Sequence, residues 1–119
     1  MPSRVALVVD DEFLIRMLLV DILRDAEFEV LEAADPRGAL EVLAHRQDVQ
    51  LLCTDVQMPG SMDGVELAQI AKAFYPKVQV IVISGFTKVA LPAGVTFLAK
   101  PFQPSQLVKL ACAAIGSRS

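Results

Sequence analysis

Five short runs rich in Val, Ile, Leu and Ala punctuate this sequence, at residues 4–9, 27–33, 50–54, 78–83 and 95–99. After each of the first three, and again after the last, apolar residues recur three and four apart, over 13–25, 36–45, 64–74 and 104–115. Parallel neighbours in a sheet need a long crossover between them, so strand-like runs alternating with helix-like stretches imply a parallel sheet with helices on both faces. Asp63, followed three residues later by Glu66, marks a helix start, and Pro104 suits the first turn of the last helix.

The order of the strands follows from their polarity. The first, third and fourth runs are almost continuously apolar, as strands covered on both faces are, whereas "EFEVLEA" carries Glu27, Glu29 and Glu32 and reads as an edge. The expected fold is a doubly wound, flavodoxin-like α/β domain with a five-stranded parallel sheet in the order 2-1-3-4-5. Ligands of such sheets bind beyond the carboxyl ends of the strands, where the winding reverses.

Composition removes several functions. With 119 residues, 54% hydrophobic and 21% charged, the chain has the size and make-up of one folded domain. A net charge of −3 offers no basic footprint for direct contact with nucleic acid and no polybasic patch for a membrane. No apolar run has the length of a membrane span, and residues 1–4 lead into a strand without a signal-peptide pattern, so a cytoplasmic protein is expected. Cys53 and Cys112 show neither CxxC spacing nor a neighbouring His, and both read as small core residues.

The expected sheet gathers polar groups at one edge. The first strand delivers Asp10 and Asp11, the third Asp55, the fourth Ser84 and the fifth Lys100. Two carboxylates 4 Å apart repel by roughly 4 kcal/mol at an effective dielectric of 20, so the Asp10 and Asp11 pair calls for a compensating cation. Hard oxygen ligands with room for water suit Mg²⁺. The same groups suit phosphoryl transfer: Asp55 attacks phosphorus in line, and Lys100 and Ser84 hold the remaining phosphoryl oxygens. Such a nucleophile needs no general base, since an aspartate is already ionised at neutral pH. His45 and Glu12 have plainer readings, as a solvated residue at a helix C-terminus and a charge near a helix N-terminus.

Taken together, "VVDDE", "CTDVQMPG", "MDGVEL", "VIVISG" and "FLAKPF" resemble the response-regulator receiver domain of two-component signalling, the CheY-like superfamily, over essentially the whole chain. The resemblance implies that Asp55 is the phospho-acceptor, that Asp11 binds Mg²⁺ directly and Asp10 largely through water, and that the backbone carbonyl of Gln57 is a further ligand. It implies that Ser84 and Lys100 contact the phosphoryl group, that Phe97 is the aromatic switch residue, and that the Lys100–Pro101 bond is cis. Gln57 and Phe86 would tune hydrolysis through water access. The implied partners are a histidine kinase or a histidine phosphotransfer protein and an output protein the sequence does not name. Such a domain catalyses only its own phosphorylation and dephosphorylation, so it is not an enzyme in the ordinary sense.

Three features depart from the common pattern or stand out from it. Ser61 is an added residue in the loop after Asp55. Lys100 follows Ser84 by only sixteen residues, and the connection "GFTKVALPAG" contains Gly85, Pro92 and Gly94, so the helix the family places there is expected to be about one turn or absent, with dimerisation through that face altered or lost. In "FLIRMLLVDIL" only Arg16 and Asp21 are polar, and Phe13, Leu14 and Val20 cannot all face one sheet, which suggests a face for kinase docking or self-association.

The expected organisation is one receiver over 1–119 with no recognisable output segment; a receiver cut from a longer regulator or hybrid kinase fits equally well. A small phosphatase of the haloacid-dehalogenase type shares the Asp, Mg²⁺, hydroxyl and Lys set. It requires a second Asp two residues beyond the nucleophile, where this chain has Gln57. An inert receiver-like binding module is the third alternative, disfavoured by the full set of phosphorylation residues.

Overall fold

A computed structural model describes residues 4–56, 63–85 and 90–116. The elements run β1 (Arg4–Val9), α1 (Phe13–Asp25), β2 (Phe28–Ala33), α2 (Pro36–His45), β3 (Leu51–Asp55), α3 (Gly64–Phe74), β4 (Gln79–Ser84), β5 (Val95–Ala99) and α4 (Pro104–Ala114). The strands form one parallel sheet in the order β2-β1-β3-β4-β5, as the polarity of the runs implies.

Alternate residues of each strand point to opposite faces, so the central strands feed two separate cores. Val5, Leu7, Leu52 and Val80 pack against Leu43 of α2 and Leu67 of α3. Ala6, Val8, Leu51 and Ile81 pack on the other side against Leu19 and Leu23 of α1 and Leu107 of α4. Both faces of β1, β3 and β4 are thereby dry, which explains the unbroken apolar runs.

Local chemistry sets the ends of the elements. Asp63 and Glu66 form a reciprocal capping box: the Asp63 carboxylate accepts from the Glu66 N–H at 2.9 Å, and the Asp63 N–H donates to the Glu66 carboxylate at 3.1 Å. Asp35 caps α2 by accepting from the Gly38 N–H at 2.8 Å. β2 starts one residue later than the sequence suggests because Glu27 adopts φ 70, a left-handed turn that ends α1. β2 is indeed an edge, and its outward charges are paired, Glu32 with Arg16 and Glu29 with Arg46.

Among the described residues between β4 and β5, none is helical. Gly94 turns the chain at φ 84, and Leu91 packs, partly buried, against the core. The described residues thus contain four helices, as the short spacing between Ser84 and Lys100 implies. Cys53 is buried, and burial pushes its thiol up to about 12. Cys112 is half-buried, packed against the core on the α1 and α4 side and beside the Arg4 guanidinium. His45 is exposed at the end of α2, its Nδ1 2.8 Å from the Glu41 carbonyl oxygen.

Candidate phosphoryl and metal site

The carboxyl ends of β1, β3, β4 and β5 converge at one edge of the sheet. Asp55 is the last residue of β3, in register with Ile83, and Ser84 is the last of β4, in register with Ala99. Both are buried, as is Asp10, whereas Asp11 is exposed and forms the solvent side of the cluster. Lys100 follows β5; its backbone N–H donates to the Ser84 carbonyl at 2.8 Å, and its ammonium donates to Asp55 Oδ1 at 3.3 Å. The Lys100–Pro101 peptide is cis.

Asp10, Asp11 and Asp55 each place a carboxylate oxygen within 4.8 Å of the others. Asp10 is held by its backbone N–H, donated to the Ala33 carbonyl at 3.2 Å, and by its Oδ1, which accepts from the Glu12 N–H at 2.9 Å. Its Oδ2 is buried and has no hydrogen-bond partner among the described residues. Burial first, then the charge of Asp55, raises the Asp10 carboxyl above the usual carboxylate range, against the opposing pull of the Glu12 N–H and Lys100. A crowded, partly desolvated set of acids with an unsatisfied oxygen is what a hard divalent cation satisfies. Octahedral Mg²⁺ at about 2.0–2.1 Å sets adjacent ligands about 2.9 Å and opposite ligands about 4 Å apart, so oxygens within 4.8 Å of one another must draw in by up to about 2 Å to share one ion.

Phe97 lies within β5, opposite Val82 and half-buried, two strands from Asp55. Gln57, Ser61 and Phe86 lie outside the described residues, so the metal-ligand role of the Gln57 carbonyl, the effect of the added Ser61 and the water-access role of Gln57 and Phe86 have no structural counterpart here.

Two contributors are not evident from the sequence reading. Gly64, the first residue of α3, donates its N–H to the Val56 carbonyl at 2.8 Å and passes so close to β3 that a Cβ there would stand 1.9 Å from the Asp55 carbonyl oxygen. The signal was a glycine in the first turn of a helix, where its low propensity calls for a reason. Arg16, which reads from sequence only as a polar interruption of α1, donates to the Asp10 carbonyl at 2.8 Å.

The apolar girdle of α1 resolves into two faces. Leu19, Val20, Ile22 and Leu23 are buried, whereas Phe13, Leu14, Met17 and Leu18 form an exposed strip beginning beside the acidic cluster, with Leu14 77% exposed. Val20 therefore belongs to the core and not to the outward face.

Residues 6–111 match the family model described as response regulator receiver domain. The nitrogen assimilation regulatory protein NtrX of Azorhizobium caulinodans is 38% identical over 109 residues, covering 86% of this chain and 24% of NtrX. The response regulator receiver protein CpdR of Brucella abortus is 36% identical over 112 residues, covering 89% of this chain and 91% of CpdR. A CheY-like receiver domain protein of Methanospirillum hungatei has a crystal structure that superposes with a TM-score of 0.88 at 25% identity, over 97% of this chain and 95% of that one. The chain thus spans about a quarter of NtrX and nearly all of CpdR.

Proposed function

The chain belongs to the response regulator receiver domain family, and from that premise we propose that Asp55 accepts a phosphoryl group from a phosphohistidine of a kinase or phosphotransfer protein. The observation that carries this reading is the Asp55 carboxylate, paired with the Lys100 ammonium and facing Asp10 and Asp11 at the switch point of the sheet.

An oxygen of Asp55 attacks phosphorus as the P–N bond breaks, and the bonding electron pair leaves with the donor's imidazole nitrogen; with the other ring nitrogen carrying a proton, the products are an acyl phosphate and neutral histidine. Lys100 balances the negative charge on the transferring group, and Ser84 at the end of β4 donates its hydroxyl to a phosphoryl oxygen. Asp10, Asp11, Asp55 and the Gln57 carbonyl are the proposed holders of Mg²⁺, which when bound would offset the negative charge shared by the attacking carboxylate and the phosphoryl group. The enclosed position of Asp55 limits the access of water to the acyl phosphate.

The exposed strip of α1 beside the site is the proposed docking face for the donor's helices, and it could alternatively pair two copies of this chain. Ser84 and Phe97, one strand apart at the β4–β5 edge, would report phosphorylation to a protein partner. With no helix among the described residues between these strands, that report would use a face unlike the usual one. Among the described residues no helix is long and apolar enough to cross a membrane. The proposed exchange with a histidine kinase is what supports a cytoplasmic location.

One alternative organisation has an observation in its favour: NtrX carries its matching region within a much longer chain, so this receiver could equally be one part of a larger regulator. The haloacid-dehalogenase reading has no support from the family match and lacks its second Asp. Beryllofluoride with Mg²⁺ tests the proposal: amide resonances of Asp55, Ser84 and Lys100 should shift in the wild type and not in Asp55→Asn. Shifts of equal size in both proteins, or none in either, would contradict it.

A further inference from the structure

Arg16 lies in the first turns of α1 and is 16% exposed. One arm of its guanidinium donates to the Asp10 carbonyl at 2.8 Å, and its Nε donates to the Glu32 carboxylate at 3.1 Å. Its Cζ stands 5.6 Å from the centroid of the Phe13 ring. A planar guanidinium presents its donors in a fixed fork, so these contacts tie the end of β1 to the end of β2 and to α1 in a single geometry.

The carbonyl that Arg16 grips belongs to the peptide joining Asp10 to Asp11. That unit is planar, so fixing its oxygen fixes the plane from which both acidic residues project. The remaining Asp10 contacts hold its neighbours in the chain and its side chain: its N–H, in the preceding peptide, donates to the Ala33 carbonyl, and its Oδ1 accepts from the Glu12 N–H. Arg16 touches neither acidic side chain in this arrangement, and Glu32 balances its charge, so its cationic character is not spent repelling a divalent ion.

We propose that Arg16 is a positioning residue for the divalent-cation site, setting cation affinity through the orientation of the Asp10–Asp11 peptide. The proposal rests on the reading of Asp10, Asp11 and Asp55 as that site. Charge alone would let lysine replace it; a fork that must reach two oxygens at once would not.

Calorimetric titration of the full chain with MgCl₂ alone tests this, using wild type, Arg16→Met, Arg16→Lys and Glu32→Gln, each checked by circular dichroism and thermal melting. Supporting residues behind metal ligands commonly set affinity by tenfold or more, so Kd for Mg²⁺ should rise about tenfold in Arg16→Met and nearly as much in Arg16→Lys. Glu32→Gln, which keeps an acceptor for Nε but removes the charge that strengthens that bond, should raise it about threefold. With acetyl phosphate as donor, the half-saturating Mg²⁺ concentration should rise in parallel while the rate at saturating Mg²⁺ stays near that of the wild type. Folded Arg16 variants that bind Mg²⁺ within about twofold of the wild type would overturn the proposal. If Arg16→Met does not fold, unchanged affinity in Arg16→Lys and Glu32→Gln overturns it equally. Absence of Mg²⁺ binding by the wild type would instead remove the cation-site reading, and the proposal with it.

Discussion

The Lys100 ammonium reaches across two strands to Asp55 Oδ1 at 3.3 Å, joining the end of β5 to the end of β3 over the edge of β4. The Lys100 side chain is 30% exposed, and partly exposed pairs contribute little to stability, about 0–1 kcal/mol. Its proposed worth lies in the transition state. Lys100→Met should therefore slow phosphorylation of Asp55 by about a hundredfold, the usual cost of removing one preorganised donor, while Tm changes little. Removing a cation from beside three carboxylates should also tighten Mg²⁺ binding. Phosphorylation kinetics and calorimetry on the same variant check both.

Asp10 is crowded and desolvated, and its carboxyl is raised above the usual range. Between the ordinary carboxylate value and the raised one, the folded state keeps a proton that the unfolded state releases. Stability from this group is therefore fully present below the ordinary value and falls as pH rises through the interval. Metal-free protein should gain stability in Asp10→Asn at neutral pH by a few degrees of Tm, the response of a domain this size to about 1 kcal/mol, and the gain should shrink as pH falls through the interval. Thermal melts in EDTA across that range test this; a lower Tm for Asp10→Asn at neutral pH would contradict it.

Gly64→Ala places a methyl group 1.9 Å from the Asp55 carbonyl oxygen, a backbone atom that cannot swing aside. The start of α3 must move away from β3, at a cost of about 3 kcal/mol, near the upper end for overpacking. Urea denaturation should show that loss, and phosphorylation should slow even in the folded fraction because the acceptor's peptide shifts. Wild-type stability in the variant would mean that α3 relaxes without disturbing Asp55.

Leu14 and Met17 lie on the exposed strip of α1 and contribute little to either core. Leu14→Lys with Met17→Lys should leave stability within about 1 kcal/mol of the wild type. If donor proteins dock there, transfer from a phosphotransfer protein should fall at least tenfold while phosphorylation by acetyl phosphate is unchanged. Wild-type rates from both donors in the variant would remove the docking face, and a monomeric wild type in solution would remove its use for self-association.

Much of this architecture is legible in the sequence because the two periods, two and 3.6, are cleanly separated along the chain. The bounds of α1, α2, α3 and β5 follow directly from apolar spacing, and the Asp63–Glu66 box marks the start of α3. Strand ends are less legible: Asp55 and Ser84 complete their strands, because backbone pairing continues past the last apolar side chain. Glu27 delays β2 through a left-handed turn that no side-chain pattern announces. The site's acids, hydroxyl and lysine can be placed from topology alone, since each ends a parallel strand. The supports of that site cannot. Gly64 acts through the absence of a side chain and Arg16 through a backbone carbonyl, and both depend on how a helix folds back on the end of the strand that precedes it, which no side-chain pattern announces.

Intact-mass measurement after incubation with acetyl phosphate tests the central claim most directly. Wild-type protein with Mg²⁺ should gain the mass of one phosphoryl group, and the gain should vanish in EDTA and in Asp55→Asn, while both samples remain folded. An equal gain in Asp55→Asn, or none in the wild type at saturating Mg²⁺ and donor, would contradict the assignment of Asp55 as the phospho-acceptor.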